Sequence, residues 1–250
     1  MNVETEGIIL KQVKTINGRR MVLLFSKKYG KISAGTSINE RGKSRAALAM
    51  RPFTYGKYDI NKGATAYFVN SADTVKSYYK IGEDVEKYMS ASYVLEFTEK
   101  ILYEDMPSAE MFKLLVDFLE IIETRKKKYM TVVIAYQLLA IKIMGVAPEL
   151  ECCVSCQSKD ELVFFSAHAG GVICERCKNI INLEGKEQLI FEIDFDIIVT
   201  LKYFLENNLK SIENIALNDE ISVKLKAIIK DYILFHFGIE KLLSEEFLNE

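Results

Sequence analysis

A chain of 250 residues with 49% hydrophobic and 27% charged side chains has a globular composition, which excludes a disordered or low-complexity polypeptide. No apolar run reaches the roughly 18 residues of a membrane-spanning helix, and the acids ahead of the first apolar run in "MNVETEGIILKQVK" exclude a secretory leader. The formal charge of −2 hides an asymmetry: residues 1–60 carry twelve basic side chains against four acidic ones, a net of +8 that leaves −10 for the other 190.

A basic front end on an acidic protein points to a polyanionic partner, usually nucleic acid; a cytoplasmic location is expected. "TEGIILKQVKTI" reads as a strand ending at the hairpin dipeptide Asn17-Gly18. "RRMVLLF" follows, then a turn at "SKKYG", then "KISAGTSI". After the insertion "NERGKSRAALAM" come "FTYGKYDI", a turn at Asn61-Lys62-Gly63, and "ATAYFVNSA". Five short antiparallel strands with a helical or irregular insertion between the third and fourth have the order of an OB-fold, a small barrel that often binds single-stranded nucleic acid.

Gly42-Lys43-Ser44 in the insertion mimics the end of a phosphate-binding P-loop. That loop needs a glycine five residues ahead, where Ser37 stands, and Gly35 is two residues out of register. Short antiparallel strands also replace the required parallel βαβ setting, so nucleotide binding is excluded. What remains is a basic loop, Arg41, Lys43, Arg45 and Arg51, with Lys27, Lys28 and Lys31 in the second turn and Arg19 and Arg20 beside the first. Turns of a barrel can converge on one face, so these nine are the candidate DNA contacts. Phe25, Tyr29, Phe53, Tyr55 and Tyr58 are interleaved with them; exposed members could stack bases, while strand alternation assigns roughly half to the core.

From about residue 83 the apolar spacing becomes helical, through Val85, Met89, Val94, Phe97 and Ile101. Pro107 fits the first turn of a helix over "SAEMFKLLVDFLEIIETRKKK". "YMTVVIAYQLLAIKIMG" is apolar on nearly all sides and reads as a central buried helix closing at Gly145. "FDIIVTLKYFLENN" and "EISVKLKAIIKDYILFHFG" read as two further amphipathic helices.

All five cysteines lie between 152 and 177. Cys153-x-x-Cys156 is followed, after seventeen residues, by Cys174-x-x-Cys177, the spacing of a four-thiolate zinc site. Two knuckles complete a tetrahedron and leave no open position, so the expected single Zn2+ is structural and folds an insert too small for its own core. Disulfides would strand a fifth cysteine in a reducing compartment. Cys152 is the leftover, and His168 between the knuckles is assigned to a loop. A zinc deaminase would need H-x-E and P-C-x-x-C, which are absent. With two histidines and no HExxH, nucleophile elbow or P-loop, no catalytic residue is assigned.

The fold class is therefore α+β multidomain: an N-terminal OB-fold β-barrel, then an all-α helical bundle with an inserted four-cysteine zinc module. The boundaries are 1–80 for the nucleic-acid-binding barrel, 81–148 and 184–250 for the helical domain, and 149–183 for the zinc module.

These pieces resemble the bacterial RecO family of recombination mediators over nearly the whole chain. The resemblance rests on "EGIILKQVKTINGRRMVLLFSKKYGKISAGTS", "RGKSRAALAMRPF", "GVAPELECCVSC" leading into "FFSAHAGGVICERC", and "YILFHFGIEKLLS". Its most specific items are Gly145…Pro148 before the first CxxC and Gly170-Gly171 before the second. It implies a non-enzyme of DNA repair and recombination that binds single- and double-stranded DNA and anneals complementary strands. With RecR, and in some members RecF, such proteins load the RecA recombinase onto DNA coated by single-strand-binding protein (SSB). They hold the acidic SSB tail in an apolar pocket and work in the cytoplasm at the nucleoid. The implied metal ligands are Cys153, Cys156, Cys174 and Cys177. Ser37-Ile38-Asn39-Glu40 departs from the denser basic stretch of relatives, and Glu40 would weaken phosphate contacts there. "ETRKKKYM" offers cations beside an apolar helix for the SSB tail, against the plainer reading as a solvated helix end. Two other readings stay open: an OB-fold factor of RNA or ribosome metabolism, and a zinc-ribbon protein-interaction module with an incidentally basic barrel.

Overall fold

The computed structural model describes residues 2–14, 20–39, 41–63, 66–183 and 189–248. The Asn17-Gly18 turn, Arg19 and Glu40 lie outside these residues. Contacts divide the chain into two compact units, Met1–Arg125 with Leu242–Glu250, and Lys126–Lys241.

In the first unit, β1 (Asn2–Lys14), β2 (Arg20–Ser26) and β3 (Gly30–Thr36) form a meander. The helix α1 (Arg45–Ala49) follows, then β4 (Thr54–Lys62) and β5 (Tyr67–Ser77). The strands close into a barrel in the order β1-β2-β3-β5-β4. Every pairing is antiparallel except β3 with β5. This is the OB arrangement that the five strands and the insertion predicted. Period-2 alternation sends Val22, Leu24, Ile32, Ala34, Ile60 and Val69 into the barrel core. Ala49 and Met50, at the end of α1, join that core, and the buried Tyr58 phenol donates to Ala49 O at 2.6 Å. Ser44 is the N-cap of α1, its hydroxyl accepting from Ala47 N at 3.1 Å. The serine of the P-loop look-alike thus starts a helix.

The unit continues with α2 (Val85–Ile101), capped by Asp84, and α3 (Ala109–Thr124), capped by Ser108. Pro107 therefore precedes the cap and does not sit in the first helical turn as expected. The third helix also stops at Thr124, short of the predicted run through the lysines; Lys128 has a left-handed backbone, φ +55°.

A 3-10 turn, Leu243–Leu248, returns to α2. There the Glu96 carboxylate accepts from Leu243 N at 2.9 Å, Ser244 N at 2.8 Å and the Ser244 hydroxyl at 2.6 Å. Burial raises the Glu96 pKa, but these donors outweigh it and hold the carboxyl below its usual range. A depressed folded-state pKa stabilises above the unfolded value and loses that contribution as pH falls through the folded one. Docking of the C-terminal turn should therefore be intact at neutral pH and weaken below the usual carboxylate pKa of about 4.3. The Glu96→Ala change should release the turn at neutral pH, at a cost of about 1–3 kcal/mol. Amide protection at Leu243 and Ser244 checks both; protection unchanged in the variant would refute the role of Glu96.

The second unit centres on α4 (Tyr129–Ile143), almost wholly buried as its uniform apolarity predicted. After it come β6 (Phe164–Ser166), β7 (Gly171–Ile173), α5 (Glu175–Leu183), β8 (Ile190–Glu192), α6 (Phe195–Glu206), α7 (Leu209–Ile212) and α8 (Asp219–Phe237). The three-stranded sheet β7-β6-β8 is not foreseen by the sequence: three residues per strand are too few for alternation to register. Among the described residues no helix is long and apolar enough to cross a membrane.

Candidate functional site

The four Sγ atoms of Cys153, Cys156, Cys174 and Cys177 lie within 4.8 Å of one another. Four thiolates about 2.3 Å from a central zinc-sized ion stand roughly 3.8 Å apart, and Cys156 and Cys174 are 3.6 Å apart. The donor set and spacing therefore fit a tetrahedral metal ion. The first knuckle is a tight turn in which Gln157 N donates to Cys153 O and Cys153 N to Ser158 O, both at 2.8 Å. Cys174 directly follows β7, and Cys177 lies in the first turn of α5. Phe164, Ile173, Val154 and Leu162 wrap the sulfurs.

Burial disfavours the Cys153 thiolate, but N–H donors from Cys174, Cys156 and Ser155 bring its pKa down to about 6. Burial, then the neighbouring sulfurs, push Cys177 up to about 12. Four thiolates this close repel one another, and a divalent cation at their centre would let all four ionise together. Cys152 stands apart, its thiol donating to Gln157 Oε1 at 3.2 Å. His168 is in the turn after β6, its ring stacked 4.1 Å from Phe235.

Gly170-Gly171 has a mechanical role. Glu149 N donates to Gly170 O at 3.0 Å and Val172 N to Glu149 O at 2.9 Å. A Cβ on Gly171 would stand 2.2 Å from Glu149 O. The chain entering the first knuckle is thereby laid directly against the strand that carries the second.

The basic residues of the barrel do not form one patch. Successive turns of an antiparallel meander fall at opposite ends, so Arg20 and the Lys27–Lys28 turn are separated by the length of β2. At the turn end the cations are engaged. Lys27 Nζ pairs with Glu6 at 2.8 Å, Lys28 Nζ donates to Glu4 O at 2.7 Å, and Lys31 Nζ to Glu99 O at 2.8 Å. The other five described candidates, Arg20, Arg41, Lys43, Arg45 and Arg51, lie on or beside the segment that runs from β3 through α1. Arg20 Nη1 donates to Ile38 O at 3.3 Å and Arg51 Nη2 to Gly42 O at 3.0 Å. Arg45 pairs with Asp73 at 2.7 Å, both side chains largely in solvent, so the pair opens at little cost. Arg41 and Lys43 are exposed and free of ion pairs among the described residues.

Along this segment a groove of about 790 Å³ crosses the outer face of the barrel, lined by Arg20, Met21, Ser37, Asn39, Phe68 and neighbours, none of them acidic among the described residues. Of the aromatics singled out in the sequence, Phe25 and Tyr58 are core. Tyr55 packs on Phe112, Phe53 on Tyr88 and Tyr29 on Tyr67. The exposed ring that lines the groove is Phe68, at 43%, which the sequence reading missed. Its position is one out of phase with the buried Val69, a register that the surrounding apolar run hides in the sequence.

Comparison with known proteins accounts for nearly every residue. A profile described as "Recombination protein O N terminal" matches residues 1–78, and one described as "Recombination protein O C terminal" matches residues 82–246. The chain is 30% identical over 247 residues to the DNA repair protein RecO of Thermoanaerobacter sp. (strain X514), covering 99% of this chain and 97% of that one. It is 29% identical to the DNA repair protein RecO of Alkaliphilus metalliredigens, over 94% of each chain. It is 26% identical to that of Bacillus subtilis, over 100% of this chain and 95% of the relative.

Proposed function

The chain belongs to the RecO family of DNA repair proteins, and on that premise we propose that it is a non-catalytic recombination mediator that grips DNA through its barrel. It binds single- and double-stranded DNA, promotes annealing, and with RecR loads RecA onto SSB-coated strands. The SSB tail and RecF are further partners, and the cytoplasmic nucleoid is its place of work. The four cysteines hold one structural Zn2+. For function we keep the division 1–80, 81–148 with 184–250, and 149–183, although contacts group α2 and α3 with the barrel.

The observation that carries the DNA reading is a groove whose described lining holds Arg20 and no acid, with the exposed Arg41 and Lys43 in the segment that follows its Asn39. We assign the primary contacts to Arg20, Arg41, Lys43, Arg45 and Arg51, with Arg19 next to Arg20 in sequence. Lys27, Lys28 and Lys31 serve acidic or carbonyl partners, as Arg20, Arg45 and Arg51 do, so the distinction rests on Arg41 and Lys43, exposed and without an ion pair among the described residues.

Titration of labelled single-stranded DNA at several salt concentrations tests this assignment. Each single-strand phosphate contact contributes about 0.7 to the slope of log affinity against log salt. Arg41→Ala with Lys43→Ala should flatten the slope by about 1.4, while Lys27→Ala with Lys28→Ala should leave it nearly unchanged. Affinity indifferent to salt, or equal effects of the two pairs, would overturn the assignment.

A further inference from the structure

We infer that Phe68 is a stacking platform for an unpaired base, which makes the groove selective for single strands over duplex. The inference rests on the nucleic-acid reading of the groove and names the ligand class of that site.

The geometry follows from strand register. Met21 on β2 pairs with Gly35 on β3, Gly35 with Phe68 on β5, and Phe68 with Asn61 on β4. Residues paired across strands share a face. The sequence neighbours of this row, Val22, Ala34, Val69 and Ile60, fill the barrel core, so the row itself faces outward. An aromatic on the solvent side of a strand is left uncovered, and Phe68 is 43% exposed.

Gly35 makes the platform possible. A Cβ there would stand 3.1 Å from Phe68 Cδ2 and 3.7 Å from Met21 Sδ. With no side chain at 35, the phenyl ring settles close over the β3 backbone and is held on one side while the groove stays open on the other. The adjacent ring is committed elsewhere: the Tyr67 phenol donates to Asp105 at 2.7 Å, and Lys62 lies over its face at 5.4 Å.

The surroundings suit a nucleotide. Arg20 supplies a cation for phosphate, and Ser37 and Asn39 supply polar groups at the rim. A base in a duplex is already stacked and paired, so the ring rewards only a strand whose bases are free. Aromatic–base stacking is tolerant of sequence because every base presents a π-face.

Because the chain contains no tryptophan, Phe68→Trp installs a single reporter of the site. Its fluorescence should be quenched by oligodeoxythymidylate and not by an abasic strand of equal length. Phe68→Ala should weaken oligodeoxythymidylate binding about 5- to 150-fold, the range for one stacked base, with the salt slope and duplex affinity unchanged. Full single-strand affinity in Phe68→Ala, or no quenching in Phe68→Trp, would overturn the platform. If the Arg41→Ala/Lys43→Ala pair still flattened the salt slope in that event, the nucleic-acid reading would stand without it. A parent protein with no salt-sensitive DNA binding would sink both.

Discussion

Cys153→Ser is expected to abolish metal binding and unfold residues of the second unit around the two knuckles while the barrel stays folded. Zinc content should fall from about one per chain to near zero. Cys153 is fully buried, and its sulfur accepts the N–H of Cys174 at 3.4 Å, so it joins the knuckles even before a metal is considered. Structural zinc contributes roughly 10–16 kcal/mol in small metal-folded domains, and an incomplete ligand set would forfeit much of it. The segment has little to replace that contribution, because its sheet is three strands of three residues. Cys152→Ser, one position away, should be neutral within about 0.5 kcal/mol, since that thiol lies outside the cluster. Metal analysis with thermal unfolding read on both units checks the pair. Zinc retained in Cys153→Ser, or lost equally in Cys152→Ser, would refute the ligand set.

Much of this was legible in the sequence, for physical reasons that differ from element to element. The barrel strands show because each is long enough for period-2 alternation and ends at a turn, whereas the parallel β3–β5 pairing departs from the antiparallel set expected, because closing a five-stranded sheet brings two strands of like direction together. The metal site shows because CxxC fixes two thiolates locally, whatever the rest of the fold does. The distribution of the cations does not show, because charge is counted along the chain whereas a meander sends alternate turns to opposite ends. Lys27 and Arg20 are both basic residues of the first quarter, yet one faces Glu6 and the other borders the groove.

Phe68 was missed for a related reason. In "ATAYFVNSA" four apolar residues run together, and only the core position of Val69 reveals that Phe68 points out. The lysine run after α3 misled in the opposite direction. Helix propensity favours continuing through Lys126 and Lys127, but the left-handed Lys128 resets the chain before α4. The helix has already ended at Arg125, whose backbone is extended at ψ 145°.

Gly171→Ala should be among the most damaging single-atom additions to this protein, costing roughly 3 kcal/mol or more. The new Cβ would meet Glu149 O at 2.2 Å, Glu149 N at 2.8 Å and Glu149 C at 2.9 Å. All three are backbone atoms, so no rotamer change relieves the clash; the two segments must separate. Separation breaks the bonds from Glu149 N to Gly170 O and from Val172 N to Glu149 O. Val172 is fully buried, and an unmatched buried backbone group costs about 1–3 kcal/mol. The damage should also reach the metal, because β7 delivers Cys174 and the Glu149 segment delivers Cys153. Zinc affinity should fall with stability even though every ligand is intact. Gly82→Ala is the control: nothing lies within 4 Å of its added Cβ, so it should change neither quantity. Chelator competition and thermal unfolding on the two variants separate the outcomes. A Gly171→Ala protein with parental zinc affinity would mean that the knuckles hold their spacing without the strand contact between them.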